Sequence, residues 1–140
     1  MRIALLLSSS LLWSAAAAAH GPNHDAAGRD APPAVVTEVM SKALSDYPGK
    51  EALMITVEYP PGGADPVHRH DADAFVYVLE GSIVMGVAGA KEVTLSAGQS
   101  FYEGRADLHT VGRNASKEKP AKFVVLLLKD IGKPALIPVP

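Results

Sequence analysis

Pro66-Val67-His68-Arg69-His70-Asp71, preceded by the turn Pro60-Pro61-Gly62-Gly63, is the stretch on which the reading of this chain depends. In a β-strand the side chains at i and i+2 leave the same face, so His68 and His70 stand side by side while Arg69 points away. Two adjacent imidazoles are half of a metal site, because neutral imidazole binds zinc, copper, iron and nickel. A third histidine, His109, lies in a later extended apolar segment. A nitrogen from that strand would complete one face of a coordination sphere and leave the opposite face open.

The segments on either side have the same β character. Leu53–Tyr59, Val67–His70, Phe75–Leu79, Ile83–Val87, Lys91–Leu95, Ser100–Tyr102, Leu108–Val111 and Phe123–Leu128 are short strand-like runs divided by Gly and Pro, the pattern of an all-β sandwich or barrel. Asp46-Tyr47-Pro48-Gly49 reads as a turn. Glu80-Gly81-Ser82 and Ala88-Gly89-Ala90 read as hairpin turns that join the middle strands into a meander. Val35 to Met40 reads as a first strand, although Glu38, Met40, Lys42, Ala43 and Leu44 also fit a short helix. Phe75–Leu79 and Phe123–Leu128 are apolar on both faces, so one face fills the interior and the other needs cover, for which a homodimer is the expectation.

The 140 residues, 48% of them hydrophobic, suit one domain with a real core. A net charge of −2 and scattered basic residues argue against a nucleic-acid surface. With no cysteine, disulfides and thiolate metal sites are excluded. Met1-Arg2, an apolar run to Trp13 and the small residues Ala15–Ala19 have the form of a secretory signal peptide, too short in its apolar part for a comfortable membrane span. Cleavage after Ala19 makes residues 1–19 the signal peptide, with no stable membrane span left after it. Residues 20–33, rich in Gly, Pro, Ala, Asn and Asp, read as a flexible leader. The folded domain is then 34–140, in a periplasmic or secreted protein. An exposed amino group at His20, with His24 nearby, is a lesser copper-chelating candidate.

The order Gly62, His68, His70, Gly81, then Gly98, Gly104, His109, Asn114 resembles the two motifs of the cupin superfamily, small jelly-roll barrels that hold a divalent metal inside. The resemblance runs from about Ala34 to Lys129 and implies a double-stranded β-helix with His68, His70 and His109 as metal ligands. It implies Fe, Mn, Zn, Ni or Cu as the metal and a small molecule as its ligand. The family's glutamate position falls on Ala74, next to Asp73. Gly104 replaces a usual proline, and Ala106 a usual glycine. If Ala74 faces inward, Asp73 faces outward by the period of the strand.

Three neutral imidazoles would leave a divalent ion's charge uncompensated, a setting that favours an anionic chelating partner. Some oxygen-using cupins resemble this arrangement. The expectation is therefore a metal centre of the dioxygenase type, with a non-catalytic metal or small-ligand binding protein of the cell envelope as the alternative. No catalytic base is identified. Val76, Val78, Met85 and Phe123 are expected to line the interior. Tyr77, Tyr102 and Glu103 are candidates for its wall, with a solvated Glu103 and merely packed tyrosines as the competing reading. Arg113 and Asn114 are expected to fix the strand end rather than to bind substrate.

Overall fold

A computed structural model describes residues 31–140. The expected signal peptide, most of the leader and the histidines at 20 and 24 lie outside the described residues.

The described chain forms β1 (Val35–Ala43), β2 (Lys50–Tyr59), β3 (His68–Arg69), β4 (Ala72–Glu80), β5 (Ser82–Val87), β6 (Val93–Ser96), β7 (Ser100–Glu103), β8 (His109–Asn114), β9 (Ala121–Asp130) and β10 (Ile137–Pro138). They make two five-stranded sheets, ordered β1-β2-β9-β4-β7 and β10-β3-β8-β5-β6, with every pairing antiparallel. This is the all-β jelly roll that the short alternating runs predict. No helix among the described residues is long and apolar enough to cross a membrane.

Alternation places the core. β9 has Ala121, Phe123, Val125 and Leu127 buried on one face, and β4 offers Ala72, Ala74, Val76 and Val78 beside them. Val57 and Tyr59 of β2, Ile83 and Met85 of β5 and Leu95 of β6 close the same cluster. Burying each of the larger side chains contributes about 2 kcal/mol to holding the two sheets together.

Two expectations are corrected, and one element was not expected. Residues 35–43 are strand throughout, and the helical alternative for Glu38–Leu44 is wrong. A register shift between Glu38 and Met40 against β2 interrupts the period of two, which is why the pattern also fitted a helix. Glu80-Gly81-Ser82 is not a hairpin within a meander, because β4 and β5 belong to different sheets. Gly81 instead makes a corner, with φ of 71° and an ideal Cβ that would meet the Pro120 carbonyl oxygen at 2.6 Å. Lastly, β10 is unforeseen: Ile137 and Pro138 pair with Arg69 and His68, so the end of the chain lies along the histidine strand.

Candidate metal centre

The β3–β8 register sets His68 directly opposite His109. Their rings stack with centroids 5.0 Å apart and planes 17° apart. His70 turns its edge toward both, at 4.9 Å from His68 and 5.1 Å from His109. The candidate ligand atoms of the three lie within 4.8 Å of one another. All three residues are buried, whereas Arg69 is exposed, as period two requires.

Backbone carbonyls orient two of the rings. The Pro66 carbonyl oxygen is 2.8 Å from His68 Nδ1, and the Ala135 carbonyl oxygen contacts His70 Nδ1. A carbonyl only accepts, so each Nδ1 carries a proton and Nε2 is the nitrogen that a metal would use, on His70 once the second proton that Glu103 favours has left. Both ring nitrogens of His109 are buried and without a hydrogen bond. A buried polar group left unpaired costs about 1–3 kcal/mol. A divalent ion held by the three imidazoles would satisfy one of those nitrogens, so the donors present fit a metal.

Glu103 is where the sequence reading most needs correcting. It is 2% exposed, not solvated. Its Oε2 lies 3.3 Å from His70 Nε2 and its Oε1 lies 3.2 Å from His109 Nδ1. The latter contact is not aligned as a hydrogen bond. Phe101, two residues earlier, packs against the core, so period two along β7 carries the signal that Glu103 also faces in.

Asp73 points outward as expected, taking a hydrogen bond from the Tyr102 hydroxyl at 2.7 Å and lying 3.6 Å from Arg105 Nε. Tyr77 and Tyr102 are exposed and do not reach the centre, because they sit one residue out of phase with the inward set. Asn114 fixes loops as anticipated. Its side-chain amide donates to the carbonyls of Tyr59, Pro60 and Lys119. Arg113 faces Glu92 at the surface.

His68 and His70 open onto a cavity of about 90 Å³ whose apolar wall includes Val57, Val76, Met85, Phe123, Val125 and Leu127. Val78, also expected there, is fully buried in the packed core instead. Asp65 joins this wall, and no sequence signal marks it, because it sits in the irregular segment before β3. Tyr59, itself fully buried, donates its hydroxyl to Asp65 Oδ2. Gly112 leaves room for the pair, since a Cβ there would stand 3.0 Å from the Tyr59 hydroxyl.

The protonation states follow from these surroundings. Burial favours the neutral form of Glu103, but the imidazoles of His109 and His70 outweigh it and bring the carboxyl down to about 2. Burial pushes His68 down to about 4. Burial also opposes a charge on His70, yet Glu103 and the Ala135 carbonyl prevail and raise its pKa. Asp65 is raised by burial, with the Tyr59 hydrogen bond opposing, and burial keeps the Tyr59 phenol protonated as a donor.

The cupin-domain family model matches residues 55–127 of this chain. No curated protein matches it. Among solved structures, an oxalate oxidase is similar at a TM-score of 0.58 and 25% identity, over 76% of this chain and 55% of that one. The DMSP lyase DddQ from Ruegeria pomeroyi DSS-3 aligns at 0.56 and 22%, over 63% and 43%. A cupin domain from Bordetella pertussis Tohama I aligns at 0.57 and 23%, over 73% and 99%. The chain spans about half the length of the first two.

Proposed function

The chain belongs to the cupin family, and from this and the geometry of the centre we propose that it is an exported metal-dependent oxygenase of the dioxygenase type, acting on a small anionic chelating substrate. The observation that carries the proposal is the convergence of three buried histidines, two of which line a largely apolar cavity. His68, His70 and His109 hold the ion, with iron, manganese, copper, nickel and zinc all compatible with such donors and the redox-active ones suited to oxygen chemistry. When bound, the metal supplies Lewis acidity and a template on which substrate and oxygen meet.

The chain's own residues do the rest. The apolar wall excludes bulk water and strengthens every charge interaction inside. A cavity of about 90 Å³ accepts a compact molecule of few heavy atoms. Asp65 stands where a substrate proton can be received. Tyr59 occupies its Oδ2, so Oδ1 is the atom that takes the proton, and the raised pKa keeps the acid form within reach. The oxalate oxidase acts on oxalate and is also found in complex with the substrate analogue glycolate, which supports a small carboxylate as the substrate class here.

The N-terminal pattern supports export with cleavage after Ala19, to the periplasm or beyond. Val35, Val39, Met40, Phe75, Tyr77, Leu79 and Tyr102 are exposed along β1, β4 and β7, a face that suits a second copy of the chain.

The test is oxygen uptake and product analysis by metal-reconstituted protein across a panel of small hydroxyacids and dicarboxylates, diketones, catechols and thiols. Oxygen consumption with one class, lost in His109→Ala, is the expected result. Tight retention of metal and ligand with no turnover on any class would instead identify an envelope binding protein.

A further inference from the structure

We propose that Glu103 is a ligand of the metal, delivered from β7 to the place that Ala74 leaves empty on β4. The inference rests on the metal reading above and adds a fourth donor, with charge, to the three imidazoles. Ala74 and Glu103 are direct partners in the β4–β7 register, and both are buried. Directly opposite residues share a face with Cβ atoms about 4.5–5.5 Å apart, so a carboxylate rooted at Glu103 reaches the space above Ala74. A methyl at position 74 is what allows that side chain to cross.

The contact with His70 is that of a ligand and not of a residue that merely orients one. An orienting carboxylate sits on the imidazole nitrogen remote from the ion. On His70 that nitrogen, Nδ1, is already taken by the Ala135 carbonyl. Glu103 Oε2 lies instead 3.3 Å from Nε2, the nitrogen left for the metal. Two donors about 2.1 Å from one ion at roughly 90–110° stand about 3.0–3.4 Å apart, the separation seen here. The second oxygen, at 3.2 Å from His109 Nδ1, holds the carboxylate from the other side.

A site of three neutral imidazoles and one carboxylate leaves a divalent ion a single uncompensated positive charge. The open positions then match a monoanionic chelate better than a dianion.

Co²⁺ is the probe, because its visible absorption reports the donor set. Affinity, measured by chelator competition, and spectrum are compared for wild type, Glu103→Gln, the exchange Glu103→Ala/Ala74→Glu, and Asp73→Asn. Glu103→Gln is expected to weaken Co²⁺ binding by about 100-fold or more and to change the spectrum, since even an orienting residue is worth 10–100-fold. The exchange restores most of both, and Asp73→Asn changes neither. Glu103→Gln within about threefold of wild type and with an unchanged spectrum overturns the proposal, that factor being below any ligand or orienting effect. Weakened binding with an unchanged spectrum also overturns it, leaving an orienting role. If the exchanged variant does not fold, as judged by circular dichroism, the spectrum of Glu103→Gln decides. Wild type that binds no Co²⁺ removes the metal reading and this inference together, whereas binding that is lost in His109→Ala but indifferent to Glu103 removes this inference alone.

Discussion

At the scale of single residues, the centre is organised by which nitrogen of each imidazole the protein occupies. Carbonyls hold Nδ1 of His68 and His70, and nothing hydrogen-bonds His109. Metal must meet deprotonated donors. His68, down to about 4, and Glu103, down to about 2, are already so above pH 5. His70, raised above its ordinary value, retains a proton that the ion must displace. Metal affinity is therefore expected to climb with pH between about 5.5 and 8 and to flatten once His70 has lost its proton. Titration across that range checks it, and an affinity indifferent to pH would contradict this protonation scheme. The Tyr59–Asp65 pair makes a second prediction. Tyr59→Phe leaves a largely buried carboxylate without its donor, at a cost of about 1–3 kcal/mol in urea unfolding at pH 7. Because the folded pKa of Asp65 is raised, its charge opposes folding, so the loss should shrink as pH falls through the acid range and vanish below about 3, where Asp65 is largely protonated in both states.

At the scale of elements, the corner between β4 and β5 carries the chain from one sheet to the other. Gly81 combines a left-handed φ of 71° with backbone and side-chain atoms of Pro120 and Ala121 pressed against the absent Cβ. Gly89, in the β5–β6 hairpin, has φ of 81° and open space around it. Gly89→Ala should cost about 1–2 kcal/mol, the left-handed penalty alone. Gly81→Ala should exceed it by at least about 1 kcal/mol, because strands must also move apart. Equal losses in denaturant midpoint would mean that the corner relaxes freely. The β3–β10 pairing has a comparable bearing on the site. Ala135, just ahead of β10, supplies the carbonyl that orients His70, so the end of the chain helps to build the centre.

At the scale of the whole molecule, two sheets share one core and their inward faces surround the centre. A ligand that binds only the folded state stabilises it by about 2.7 kcal/mol at a hundredfold excess over Kd. For a domain of this size, saturation with Co²⁺ or the native metal is expected to raise the melting temperature by roughly 10 °C, and His68→Ala should abolish the rise. Calorimetry with and without metal checks this. Light scattering should find a dimer if a second copy covers the exposed apolar faces of β1, β4 and β7, and charge introduced at Met40 and Phe75 should then yield monomer.

The His68–His70 pair and the all-β class were legible in the order of residues, because both depend on short-range geometry, whereas His109 was joined to the pair by the resemblance to the cupin motifs and meets it through the β3–β8 pairing. A spacing of two puts His68 and His70 on one face, alternation marks the strands, and Gly and Pro mark their ends. With Ala74 facing inward, the outward turn of Asp73 followed from the same rule. Features that depend on pairing between distant strands were not legible in that way. The meeting of Glu103 with Ala74, of Asp65 with Tyr59, and of the chain end with His70 each requires a partner that no local period specifies. Glu103 shows the boundary most clearly. Period two from Phe101 turns it inward, but only the β4–β7 register brings its charge beside the imidazoles, because register is set by how two faces bury their apolar side chains together.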